Sequence, residues 1–186
     1  MTQLQLIEHI SDFDKPVKVV KSSSKVEDQN FSLRDMIDLT FYYHKPIAIK
    51  ASRLLETILV KCPEKYYTEI DYFFERVAEV KCLSCKKHYA KAIMYLTSPE
   101  VPKEVRSKVK EINLERTVEL CFDWMIDTKM LVSVRAAASE ALFNLRHRYP
   151  WIAEELSKQL EYLMPHATPT LAATGDMILS YLHCED

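Results

Sequence analysis

Apolar residues recur along this chain at offsets of 0, 4, 7, 8 and 11. The pattern is clearest at Val134, Ala138, Ala141, Leu142 and Leu145. It returns at Ile47, Ala51, Leu54, Leu55 and Ile58, at Cys85, Tyr89, Ala92, Ile93 and Leu96, and at Leu171, Gly175, Ile178, Leu179 and Leu182. Such spacing draws one stripe along a helix of about 3.6 residues per turn, and the alanines of the first set let a neighbouring helix come close. Two more segments repeat it: Tyr66, Ile70, Phe73, Phe74, Val77 and Leu114, Val118, Cys121, Phe122, Met125. A further stripe, Ile152, Leu156, Leu160 and Leu163, predicts a helix between the stripes that begin at Val134 and Leu171.

Prolines and capping residues set the breaks. Pro46 disfavours helical geometry in the residue before it, which places a turn at His44-Lys45. Pro63 and Pro150 each restart a helix, and Pro165 and Pro169 bracket the last turn. Ahead of these, residues 2–11 read as a short helix, 16–27 as a second with a weak apolar face, and Asn30 or Ser32 caps a third through Tyr43. Thr97 to Pro102 ends the helix of the Cys85 stripe; residues 102–112 are highly charged and read as helical turns outside the main stack, and Asn113 caps the helix after them.

Taken in pairs, these elements predict an all-α fold, a HEAT/armadillo-like α-solenoid of about four helix-turn-helix repeats at 31–62, 63–97, 113–149 and 150–183. Residues 1–28 form an N-terminal helical cap and 98–112 an insertion, all within one domain. The stripes that begin at Ile47, Cys85, Val134 and Leu171 are 38, 49 and 37 residues apart, around the period of about 40–47 of such repeats. Each pair buries its stripe only by stacking on its neighbours. A nonrepeating helical bundle is the alternative arrangement.

Composition narrows the chemistry. The chain has 186 residues, 48% hydrophobic and 28% charged, in the range of ordinary globular proteins. It has a single glycine, Gly175. Tight hairpins and phosphate-cradling loops depend on glycine, so a sheet-rich fold and a nucleotide loop are both disfavoured. A net charge of −2 and a pI near 6.3 argue against bulk attraction to nucleic acid or to an anionic membrane. No uncharged apolar run approaches the roughly 20 residues of a membrane span, and the first residues lack a leader pattern, so a cytoplasmic protein without a membrane partner is expected. Cys62, Cys85 and Cys121 fall on or beside apolar stripes, where thiols act as small hydrophobes, and a disulfide framework is not expected.

The segment Asp127, Val134-Arg135, Ala138, Ala141-Leu142, Leu145, Pro150 resembles the second half of a HEAT motif, and Lys50, Ala51, Leu54-Leu55, Ile58 and Pro63 match it less fully. The HEAT resemblance implies that the second helix of each pair lines a concave face that meets partners. The stretches CFDWMID at 121–127, DYFFERV at 71–77 and PWIAEEL at 150–156 resemble a family of short bacterial proteins that carries the name adenylosuccinate lyase, over roughly residues 31–183. True adenylosuccinate lyases resemble one another in a serine-bearing loop, GSSxMPxKxNP. Here Ser22-Ser23-Ser24 is followed by Lys25-Val26-Glu27, so that activity is not expected.

Cys82, Cys85 and His88 have ligand-like spacing, but a structural zinc takes about four ligands and no second pair exists, so neither metal nor cofactor is expected. No HExxH, nucleophile elbow or P-loop is present. His44, His147 and His183 lie near helix ends, where a cation meets the helix dipole, and Asp123 stands beside the packing aromatic Trp124. One constellation is basic. Lys50 and Arg53 on one stripe-bearing helix, with Lys87, His88, Lys91 and Tyr95 on the next, would offer a concave face to an acidic peptide or phosphate backbone, unless acids such as Glu56 interleave. The expectation is a non-enzymatic scaffold that binds another protein. Nucleic-acid binding, as in the HEAT-like alkylbase DNA glycosylases, is the alternative, and the charge weighs against it.

Overall fold

The computed structural model describes Ile7 and residues 32–185, with side chains through residue 184; the expected helices over 2–11 and 16–27 lie outside the described residues, save Ile7. The regular structure of the described residues is all helical, with no strand among them. Their α-helices are α1 (Leu33–Leu39), α2 (Lys45–Lys61), α3 (Ile70–Arg76), α4 (Leu83–Thr97), α5 (Lys103–Glu111), α6 (Glu115–Ile126), α7 (Val132–Leu145), α8 (Trp151–Leu163) and α9 (Pro169–Glu185). None is long and apolar enough to cross a membrane. The chain divides into two compact units, one ending at Tyr89 and the other beginning at Ala90, inside α4.

In the first unit α1 packs on α2 and α3. Ser32 is its N-cap: the hydroxyl accepts from Arg34 N–H at 3.1 Å. Glu69 reinforces it from 37 residues away, its carboxylate accepting from the Ser32 hydroxyl at 2.5 Å and from Arg34 N–H at 3.2 Å. A carboxylate at the first turn also meets the positive end of the helix dipole. Pro46 sits in the first turn of α2, where its missing N–H costs no hydrogen bond. His44 is the N-cap residue of α2 and makes no side-chain capping bond, so it stands at the dipole end opposite to the one that favours a cation.

The stripe that begins at Tyr66 is buried, yet it is not one helix. Pro63–Lys65, Tyr67–Glu69 and Val77–Glu79 are 3-10 turns that flank the two-turn α3. Tyr66 breaks the chain at φ −122°, ψ 11°. The segment is rich in aromatic and β-branched residues, which lose rotamer freedom in a helix, and Glu69 is drawn away to cap α1. The buried aromatics hold the unit together. Phe73 stacks on Tyr89 with ring centroids 5.1 Å apart, and the Tyr89 hydroxyl meets Thr40 Oγ1 at 2.7 Å.

In the second unit α7 packs against α6, α8 and α9 together. All five residues of its stripe are buried. Arg135 is buried as well and donates from Nε to the Met125 carbonyl at 2.8 Å, capping the C-terminal turn of α6. Phe122 on α6 stacks on Trp151 of α8 at 5.7 Å. In the charged stretch 102–112, Val105 and Val109 are buried, as is Val101 just before it. Arg148 donates to the carbonyls of Val109 at 2.9 Å and Ile112 at 2.5 Å, where a guanidinium suits the C-terminal end of α5. Leu114 N–H, at the start of α6, donates to the Tyr149 hydroxyl at 3.2 Å.

Gly175 marks a close approach. A Cβ built there would fall 2.5 Å from both Sδ and Cε of Met164, in the turn before α9. Alanine would raise helix propensity by about 1 kcal/mol and displace a flexible thioether at similar cost. Gly175→Ala is therefore expected to change the unfolding free energy by less than about 1 kcal/mol, while the same substitution beside Met164→Ala, compared with Met164→Ala alone, releases the gain. Urea titration of the four proteins checks it; a gain from Gly175→Ala that is the same in both backgrounds would disprove the steric account.

Candidate functional site

The structure distributes the six predicted basic-face residues over two helices. Lys50 and Arg53 stand on α2; Lys87, His88, Lys91 and Tyr95 stand on α4. Arg53 and Lys87 are exposed, and the other four are half-buried. Lys50, Arg53, Lys87 and His88 belong to the first unit, Lys91 and Tyr95 to the second. His88 Nδ1 meets Glu56 Oε2 at 2.5 Å, with side-chain exposures of 15% and 21%. That contact ties α2 to α4 and sets an acid against the imidazole. Lys50, Lys91 and Tyr95 also have interaction partners.

The same pair settles the orientation of His88, whose ring turns to α2 and not to the cysteines. Among the described residues no three His, Cys, Asp or Glu side chains stand close enough together to hold a metal ion.

A cleft of about 470 Å³ opens elsewhere in the first unit. Its charged lining is Lys45 at the start of α2, Arg76 at the end of α3, Glu79 and Lys81, and Cys82 is among the other residues that line it. Arg76 is a fixed wall. Its Nη1 donates to the Tyr72 hydroxyl at 2.9 Å and to Asp38 Oδ1 at 3.4 Å, and its guanidinium lies over the Phe41 ring at 4.5 Å. Its Nε stands 3.2 Å from Glu79 Oε2, in an ion pair too bent to be a hydrogen bond. The Tyr72 hydroxyl donates to Asp38 at 2.7 Å; that bond, with Asp38's charge and partial burial, pushes the phenol above its usual value.

Cys82 stands immediately before α4, and its carbonyl accepts the helix's first bond, from Lys86 N–H at 2.9 Å. Partial burial pushes its thiol up, but the backbone N–H groups of Cys85 and Ser84, the Cys85 thiol and the Lys45 ammonium outweigh burial and hold it below the ordinary value. Cys85, one turn further, is fully buried. Burial pushes its thiol up to about 11, against the pull of the neighbouring Ser52 hydroxyl. From the sequence this pair reads as an incomplete metal-ligand set, with Cys85 on an apolar stripe. The signal that identifies it otherwise is a C-x-x-C whose first cysteine directly precedes a helix, where free N–H groups stabilise a thiolate.

Comparison with known protein families, with curated proteins and with solved structures finds no match for this chain.

Proposed function

We propose that this chain is a HEAT-like helical-repeat scaffold that binds another protein and has no catalytic turnover of its own. The packing of α7 carries this reading. In a stacked array the second helix of one pair lies against its own first helix and against the second helix of the next pair, and α7 has both α6 and α9 as neighbours, with α8 beside them. The Phe122 to Trp151 stack supports it, joining the first helices of the same two pairs. In the first unit α2 carries the same stripe, with Ala51, Leu54, Leu55 and Ile58 buried and Ile47 half-buried.

The binding face in this reading lies on the first unit, at Lys50, Arg53, Lys87 and His88, and its partner is an acidic protein segment. Arg53 and Lys87 are exposed and supply the charge; the Glu56 partner of His88 lowers it. The test is affinity capture from native extract with the wild type and a Lys50→Glu/Arg53→Glu/Lys87→Glu variant, each with and without nuclease. A protein partner retained after nuclease and lost with the variant is expected. Material lost entirely on nuclease treatment, with binding that falls steeply as salt rises, would replace the protein partner with a nucleic acid.

A further inference from the structure

The scaffold reading leaves the thiols of the first unit unused. Cys82 borders the cleft immediately before α4, and Cys85 stands three residues on, in the first turn of that helix. Two cysteines at i and i+3 at the start of a helix are close enough for a disulfide to join them. They differ in access: Cys82 is half-buried and Cys85 has 0% exposure. A reagent in the cleft therefore reaches Cys82 first. The cleft falls within the size range of small-molecule sites. Three cations and one carboxylate line it, and Asp38 and Glu79 already engage Arg76, which leaves Lys45 and Lys81, both exposed, to meet an anionic ligand.

We propose that Cys82 and Cys85 form a dithiol that reacts once per chain with a small disulfide bearing carboxylates, Cys82 attacking from the cleft and Cys85 closing an internal disulfide. In the first step the Cys82 thiolate bonds to the near sulfur of the small disulfide. Its S–S bond breaks, and the far sulfur leaves as a thiolate that takes up a proton. In the second step Cys85 gives up its proton and attacks Cys82 Sγ. The mixed disulfide breaks and the second small thiol departs, protonated. The small disulfide is the oxidant: it is reduced to two thiols while the two cysteines are oxidised, and the two cysteine protons end on the released thiols. The thiol chemistry matches these roles. The amides and Lys45 that hold Cys82 low favour its attacking form, while burial keeps Cys85 protonated until Cys82 is engaged.

The test treats the reduced full-length protein with glutathione disulfide, which carries carboxylates, or with cystamine, which carries amines, and maps each cysteine by mass spectrometry over time. Exposed Cys184 is the internal reference. With glutathione disulfide, Cys82 is expected to react at least about tenfold faster than Cys184 and to end in the Cys82–Cys85 disulfide without a retained adduct. Cys85→Ser is expected to stop at a glutathione adduct on Cys82. Lys45→Glu/Lys81→Glu is expected to remove the preference for glutathione disulfide over cystamine while the circular dichroism stays unchanged. Cys82 reacting no faster than Cys184, or a wild type that keeps the adduct, would overturn the dithiol. Equal rates with the two disulfides would overturn the carboxylate-bearing ligand.

Discussion

Phe73→Ala is expected to lower the unfolding free energy by about 4 kcal/mol, read as a fall in the urea midpoint with little change in slope. Phe73 has 0% exposure and joins two aromatic contacts, stacked on Tyr89 and edge-on to Phe74 with centroids 5.3 Å apart. Alanine removes the ring's burial, leaves a cavity, and deprives Tyr89 of the surface that holds its hydroxyl at Thr40. Globular domains have about 5–15 kcal/mol of stability in all, so the loss is a large fraction. Phe73→Leu keeps most of the volume and is expected to cost about 1–1.5 kcal/mol. A Phe73→Ala protein within about 1 kcal/mol of the wild type would mean that the aromatic cluster is not the core of its unit.

The second large effect is expected in α7. Ala138 and Ala141 have 1% and 0% exposure in a helix with three others packed on it. Leucine at both positions adds volume where interiors have no voids to receive it, and the pair is expected to cost about 4 kcal/mol through displaced backbone and strained rotamers. Ser133, half-exposed on the same helix, is the control, and Ser133→Leu is expected to stay within about 0.5 kcal/mol. Thermal unfolding of the three proteins checks it. Equal tolerance at all three positions would remove the reason for small residues in the stripe, and with it the close helix approach on which the repeat reading rests.

Most stripe positions are buried as their spacing predicts, though Ile47, Phe122, Leu163 and Leu179 are only half-buried, and the stripe alone does not fix helix continuity. All five positions of the Val134 stripe are buried, as are the five that begin at Tyr66, although only the first set lies on one helix. Offsets of 0, 4, 7, 8 and 11 report which side chains leave water. Pro63, the conformation of Tyr66 and the diversion of Glu69 decide how the backbone accommodates them. In the 102–112 stretch the charges obscured Val105 and Val109, which continue from Val101 at a helical spacing of four. The basic residues were placed correctly on stripe-bearing helices, but pattern alone does not say which acid a cation meets, and His88 meets Glu56. The cleft was out of reach for a similar reason. Lys45, Arg76 and Cys82 come from three separate segments, and only tertiary packing brings them to one opening.

The cap that Glu69 places on α1 also bears on how the chain is made. Seven residues are too few to hold a helix in water without tertiary support. A ribosome delivers Ser32 first and Glu69 only 37 residues later. Until then α1 lacks both the carboxylate at its head and the α3 aromatics beside it. During synthesis α1 must therefore wait as unformed chain with Leu33, Met36 and Ile37 uncovered. The interval in which this unit is vulnerable to aggregation is set by the time needed to translate the segment between its cap and its first residue.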